Sequence, residues 1–472
     1  MKIQLYSDDE FQKIVHLRKN WLSSHQDSEK RKKIADLIED IEYSNYSTSQ
    51  RAKNRIYKQQ VKEYIKHRII YPNKDIYLEQ YITEERIVTG RPKILFGTME
   101  ISNLCTTISS AFKDMKIEAY SIDFFSNKFG YNADLSRKRH HRNRKEFSMM
   151  IDFVCEIIAE FDIFNFFFCS TLLPKGADLH VYKELGKKTV IHYVGSDIRM
   201  YSIASRINPY LALAEDDYFK YHFITEHKVF HNLVQFSTYV DMYFTVGNEF
   251  KSVLSSWYTR SYEYCQPLDV TRFTNDYKKT DDRFLIVHAP SNSAIKGTKF
   301  IVEAINSLKE KYDFDFILVQ NKTNAEAMEI YKKADLIIDQ LILGWHGVFA
   351  VEAMALGKPV VCHICDYAKE GYPEGLPIIN GNPDNIKEVI EWALNNKKEL
   401  NEIGRRGREY VEEHHDAKKI AASFLTEYEK IVVMPSAPTK FIKSSSSIGY
   451  FLYLLLNAFL QKFQGVFGKI FR

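Results

Sequence analysis

The stretch from Asp335 to Cys362, DLIIDQLILGWHGVFAVEAMALGKPVVC, restricts the possible folds more than any other part of the chain. Leu336–Ile338 is apolar at every position, as a strand buried on both faces requires, and it ends in the polar pair Asp339 and Gln340. A loop bearing Gly344 and Gly347 follows, then a helix-length apolar run interrupted by Glu352. Gly357 stops that helix at a position that favours positive φ, and Pro359 forbids its continuation into a second apolar strand, Val360–His363. Strand, loop, helix and strand in this order form a parallel βαβ module. In open parallel sheets ligands bind outside the carboxyl ends of the strands, so Asp339, Gln340, the glycine loop and the helix start fall on the ligand side. Glu352 is the misfit. A carboxylate desolvated alone on a core-facing helix costs several kcal/mol, and hydroxyl or amide donors from a ligand would offset that cost.

The same texture extends over most of the sequence. At 472 residues the chain exceeds a single core and predicts two domains with appendages. Residues 1–92 are charged and helical in pattern; from Lys93 short apolar strands alternate with helical stretches, giving a first Rossmann-like domain over 93–265. Gln266-Pro267-Leu268-Asp269 reads as a hinge, and 266–432 as a second Rossmann-like domain, with Thr323 and Glu326 spaced as a capping box at one of its helix starts. The expected class is therefore α/β, with two doubly wound parallel sheets facing a cleft. A Pro/Ser-rich linker, 433–447, leads to an amphipathic tail, 448–472.

Bulk composition excludes little. The formal net charge of +4 is too small to imply nucleic acid, and the 30 Tyr and 32 Phe are explained by strand propensity and core volume. The amino terminus MKIQLYSDDEF has no apolar signal-like run, and six scattered cysteines without a framework fit a reducing cytoplasm. Cys362 and Cys365 form one C-x-x-C pair with no partner pair, so ordinary core thiols are expected.

Three groups of residues carry a family likeness: Lys296-Gly297-Thr298 after the first strand of the second domain; Gly347 through Ala355 with Gly357-Lys358-Pro359-Val360; and Gly195-Ser196-Asp197-Ile198-Arg199 in the first domain. With these, residues 93–432 resemble retaining GT-B glycosyltransferases of the family 4 type, especially those of bacterial surface-polysaccharide assembly. The resemblance implies that Lys296 binds the donor diphosphate and that Glu352 holds the nucleotide ribose. Elementary electrostatics agrees for Lys296, because a helix start beside a strand end offers N–H groups and positive potential to a pyrophosphate. Donor contacts are expected from Asn292, Lys296, Gly297, Thr298, Asp339, Gln340, His346, Gly347, Val348, Phe349 and Glu352, with catalysis assigned to Lys296, Glu352 and His192. Gly195, Ser196, Asp197 and Arg199 are expected on the acceptor side. Two family features are missing: the first glutamate of the Glu-x7-Glu pair falls at Gly344, and the arginine that usually precedes the lysine would fall in Ala289-Pro290-Ser291.

Arg137, Lys138, Arg139, Arg142, Arg144 and Lys145 pack six cations into nine positions, a density that favours an anionic surface nearby. With the tail's Ile448–Leu460 run too short to span a bilayer, the expectation is a protein lying on the inner face of the cell membrane, without a membrane-crossing helix. Asp313-Phe314-Asp315 matches a metal-binding D-x-D but sits at a strand entrance, opposite the ligand edge, so no metal and no cofactor are expected and the nucleotide-sugar is a substrate. The expected partners are that donor, a lipid-linked or glycan acceptor and an anionic membrane surface, with no nucleic acid. The sequence also admits a GT-B scaffold that has lost catalysis, or a sugar-nucleotide epimerase.

Overall fold

The computed structural model describes residues 69–70, 92–125, 131–136, 150, 153–158, 160–214, 229, 232–233, 235–247, 250, 254, 258, 260–274, 283–431 and 440–441. The expectations for the helical extension, the basic run 137–145, the linker and the tail lie outside the described residues, apart from an antiparallel pairing of Ile69–Ile70 with Lys440–Phe441.

Seven strands build the first sheet: β1 (Ile94–Thr98), β2 (Ala119–Asp123), β3 (Leu135–Ser136), β4 (Ile163–Phe167), β5 (Lys188–Tyr193), β6 (Met242–Val246) and β7 (Ser261–Tyr264). Their order is β3-β2-β1-β4-β5-β6-β7, every pairing is parallel, and the direction of winding reverses between β1 and β4. Five strands build the second: β8 (Leu285–His288), β9 (Asp315–Leu318), β10 (Leu336–Ile338), β11 (Val360–Cys362) and β12 (Ile378–Asn380), in the order β9-β8-β10-β11-β12 and again wholly parallel. Central strands such as β1, β4, β10 and β11 are buried at every position, the burial expected of strands covered by helices on both faces.

The helices follow in chain order: α1 (Leu104–Asp114), α2 (Leu179–Glu184), α3 (Tyr201–Ile207), α4 (Ser293–Lys296), α5 (Thr298–Lys309), α6 (Asn324–Tyr331), α7 (Val348–Ala355), α8 (Asp366–Lys369), α9 (Ile386–Asn395), α10 (Lys397–His414) and α11 (Ala417–Glu429). The capping box at α6 forms as expected, Thr323 accepting from the Glu326 amide and Glu326 from that of Thr323. No described helix is long and apolar enough to cross a membrane. Asp313 and Asp315 at the entrance of β9 both pair with Arg283, remote from the carboxyl edge.

One boundary differs from the sequence reading. The segment after His415 does not close the second domain: α11 crosses back and buries Phe424 and Tyr428 against Phe96, Phe112 and Phe244 of the first. The Tyr428 hydroxyl donates to Asn165 Oδ1 at 2.6 Å across that contact. Periodicity could not show this, because an amphipathic helix fits either sheet and only the shape of the vacant face selects one. The chain therefore passes between domains twice, and the two crossings pair: the Leu268 amide donates to His415 O at 2.7 Å and the Ala417 amide to Leu268 O at 3.0 Å. A third tie is the Asn208 carboxamide of the first domain, which donates to Ile342 O at 2.6 Å.

Candidate active site

The carboxyl edges of the two sheets enclose a cleft of about 1420 Å³. Its walls are the segments that leave the strand ends: Val194–Ser196 after β5, Val246–Gly247 after β6, Tyr264–Gln266 after β7, Ala289–Lys296 after β8, Val319–Thr323 after β9, and Gln340 with Leu343 and Trp345–Phe349 after β10. Lys296 and Glu352, brought together from separate turns of the second domain, both line it.

Lys296 ends the four-residue α4, whose start is capped by Asn292 Oδ1 accepting from the Ala294 and Ile295 amides. Gly297 then takes φ 73°, and a Cβ there would lie 3.1 Å from side-chain atoms of Leu341 and Ile342, so glycine is required to turn the chain directly into α5. The Lys296 ammonium bonds Asp339 Oδ1 at 2.6 Å, while Asp339 Oδ2 accepts from the Gly347 amide at 2.9 Å. A fully buried carboxylate thus holds the lysine against the start of α7. Asp339, expected to touch a sugar, instead lies beneath Lys296 and Gly347 and does not line the cleft. Gly297 and Thr298 are likewise turned inward. The Thr298 hydroxyl donates to His288 Nε2 at 2.9 Å, and His288 Nδ1 donates to Ile338 O at 2.8 Å. Asn292, Gln340, His346, Gly347, Val348 and Phe349 line the cleft.

Glu352 stands in the second turn of α7 with its carboxyl toward Arg272 and Tyr131. Desolvation pushes its pKa up to about 7, against the attraction of Arg272 and with a further push from Asp339. No hydrogen bond from a described residue stabilises the charged form. Gly344, where the family glutamate is missing, has φ 80°, and a Cβ would stand 2.8 Å from Asn208 Nδ2 and 3.2 Å from Cys365. The interdomain bond from Asn208 occupies the space a side chain would need.

On the first-domain wall, Gly195, Ser196 and Arg199 line the cleft and Asp197 does not. Asp197 Oδ1 accepts from the Val194 and Gly195 amides at 3.3 and 2.8 Å, which shapes the loop; burial raises its pKa to about 7. His192 is a correction. It is fully buried, stacked on Phe167 at 4.1 Å, and takes no part in the lining. Its Nε2–H donates to Asn165 Oδ1 and its Nδ1 accepts from the Tyr264 hydroxyl, each at 3.0 Å. Both nitrogens are satisfied inside the core, and burial holds the ring well below the usual histidine pKa. Cys362 and Cys365 are buried and not joined in a disulfide.

Sequence reasoning missed Arg272, Gln266, His415 and Tyr372. Arg272 faces Glu352 from the hinge side, and the other three line the cleft. None sits in a motif, and their placement depends on where the two crossings meet.

Residues 303–410, from within α5 into α10, match the family described as glycosyl transferases group 1. The chain carries a glycosyltransferase domain. That match includes Glu352 and excludes Lys296. The chain is also similar to the solved structure of sucrose-phosphate synthase from Thermosynechococcus elongatus, at 13% identity, covering 72% of this chain and 99% of that one with a TM-score of 0.51. Further likenesses are to HepE of Anabaena in complex with UDP-glucose (13% identity, 71% and 100% covered, TM-score 0.49) and to a putative UDP-N-acetylglucosamine 2-epimerase from Listeria monocytogenes (14%, 75% and 100%, 0.46). No curated protein matches. The fold is GT-B: two parallel-sheet α/β domains with a cleft between their carboxyl edges.

Proposed function

We propose that this glycosyltransferase moves a sugar from a nucleotide-sugar to a lipid-linked or polysaccharide acceptor, with retention of configuration and without a metal. The observation that carries this reading is the convergence of Lys296 and Glu352 on one cleft at the carboxyl edge of the second sheet. The donor diphosphate sits against the Lys296 ammonium and the free amides at the start of α7, where formal charge and helix dipole stabilise negative charge building on the leaving group. Asp339 fixes the ammonium in place, so little reorganisation is needed as that charge develops. Glu352, lacking internal donors, accepts from the ribose hydroxyls and ionises as they arrive. The acceptor enters beside Gly195, Ser196 and Arg199, and its hydroxyl attacks from the face the diphosphate leaves. The basic run 137–145 and the tail would hold the enzyme at an anionic membrane and its lipid-borne acceptor.

A thermal-shift screen of the full chain against nucleoside diphosphates and nucleotide-sugars, followed by assay of diphosphate release, tests the proposal. Stabilisation by a nucleotide-sugar and slow release without acceptor support it, since a ligand that binds only the native state raises the melting temperature. The crowding at Gly344 favours one rival, a noncatalytic scaffold, which would bind donor and release nothing. Conversion of the donor sugar to an isomer would instead mark an epimerase.

A further inference from the structure

Unsatisfied polarity among the described residues is concentrated in one place. Of seven buried side-chain nitrogen or oxygen atoms without a partner, four belong to three residues that line the cleft together: both ring nitrogens of His346, Nε2 of His415 and Nε2 of Gln266. Each such atom costs on the order of 1–3 kcal/mol if nothing meets it, so four at one site point to a ligand. Gln266 and His415 come from the two interdomain crossings, and His346 from the loop that leads into α7. The imidazoles of His346 and His415 are 5.8 Å apart between ring centres, and His346 is held by stacking on Tyr372 at 4.7 Å.

The hydrogen-bond geometry fixes what these groups can accept. His415 Nδ1 lies 2.8 Å from Gln266 O, and a carbonyl only accepts, so Nδ1 carries the proton. Burial presses the His415 pKa down to about 3 and that of His346 to about 4, so both rings are neutral at physiological pH. His415 Nε2 is therefore an unpartnered lone pair on a residue that lines the cleft, where Gln266 contributes an unpartnered carboxamide N–H and the His346 ring one donor and one acceptor. A carboxylate cannot bond to the His415 lone pair. An ammonium cannot accept from Gln266. A neutral group that both donates and accepts, a hydroxyl or an acetamido, satisfies them.

We propose that His346, His415 and Gln266 form a subsite for an uncharged, hydroxyl- or acetamido-bearing glycosyl unit of the donor, so that the enzyme selects neutral sugars over uronates. This rests on the glycosyl-transfer reading of the same cleft. The subsite adjoins Gly347 and Lys296, beyond the diphosphate, and its two hinge residues bring the two crossings to one end of the ligand.

The test is the affinity that the sugar adds to the nucleotide. The Kd of UDP, ADP and GDP, and of UDP-glucose, UDP-N-acetylglucosamine, ADP-glucose, GDP-mannose and UDP-glucuronate, is measured by calorimetry for the full-length protein and for H415N, H346F and Q266M. In H415N the Asn amide replaces Nδ1 as donor to Gln266 O and removes Nε2; in H346F stacking on Tyr372 remains and both nitrogens go. The expected result is a neutral nucleotide-sugar that loses roughly tenfold in affinity in each variant, about one hydrogen bond's worth, while its parent diphosphate binds within twofold of wild type. Two outcomes overturn the subsite and leave the transferase reading standing: folded H415N and H346F proteins that keep the sugar's added affinity, or wild type binding UDP-glucuronate more tightly than UDP-glucose. Wild type that binds no nucleotide and no nucleotide-sugar overturns both.

Discussion

In the first sheet His192 is sealed between Phe167 and Phe244, with each ring nitrogen bonded to a core neighbour; in the cleft His346 is held by stacking on Tyr372 and neither of its nitrogens is bonded. Both histidines follow or sit in parallel strands near a ligand edge, and the sequence pattern assigns His192 to catalysis and His346 to the donor. The difference lies in their surroundings. Around His192 the chain supplies Asn165, Tyr264 and, through α11, Tyr428, so the polarity is consumed internally. Around His346 the walls belong to different domains, and the gap between them is left for something else. A buried polar group with internal partners is architecture, whereas one without them at a cleft floor marks binding.

Replacing Lys296 gives the largest expected effect. K296A should lower diphosphate release from donor by at least about 100-fold, the scale of removing one electrostatic donor at a developing charge. It should also destabilise the fold by about 3–4 kcal/mol, because Asp339 is left charged and fully buried. The double variant K296A/D339N should recover much of the melting temperature and none of the transfer. Recovery of transfer would remove the ammonium from the diphosphate site.

His192 sharpens the contrast from the architectural side. H192A should lower the unfolding free energy in denaturant by about 3 kcal/mol, through a cavity and two lost hydrogen bonds, while donor Kd stays unchanged. Normal stability combined with lost turnover would return His192 to the active site.

Glu352 is a cleft group whose internal cost can be measured. Its folded pKa of about 7 exceeds the ordinary 4.5, so between those values the native state holds the proton more tightly than the unfolded chain. Stability therefore falls as pH rises from 4.5 to 7 and stays lower above that window. E352Q should remove this fall, gaining about 2 kcal/mol at pH 8 and nothing at pH 4, with the full shift discounted because the carboxyl is partly open to the cleft. The same variant should bind donor about tenfold more weakly. A gain in stability at both pH values would show that desolvation of the charge is not the cause.

Tyr210 at the domain interface marks the small end. Its hydroxyl donates to Asp384 Oδ2 at 2.5 Å in an exposed setting, so Y210F should change the melting free energy by about 0.5 kcal/mol and leave donor binding alone.

The fold was largely legible from local pattern. Apolar runs such as Leu336–Ile338 and Val360–Cys362 became central strands, and Thr323 with Glu326 capped its helix as the spacing required. The edge strand Ser261–Tyr264 was not read, because its Ser-Tyr-Glu-Tyr carries no buried run to distinguish it from the loop before the hinge. Where a motif marks residues for the site, as for Lys296 and Glu352, those residues line the cleft. Asp339, Asp197 and His192 do not line the cleft: Asp339 and His192 bond neighbours distant in sequence, and Asp197 Oδ1 bonds its own loop while its Oδ2 has no partner.

Sequence alone determined two parallel α/β units, the break at Gln266–Asp269, and a lysine and a glutamate on the short helices that follow strand ends. These are local consequences of apolar periodicity and of glycine and proline at fixed positions. Tertiary structure decided which sheet receives α11, why Gly344 has no room for a side chain, and which polar atoms remain unpaired. Those outcomes depend on how segments more than a hundred residues apart meet, as Asn208 meets Ile342 and Gln266 meets His415, and one-dimensional spacing does not contain that information.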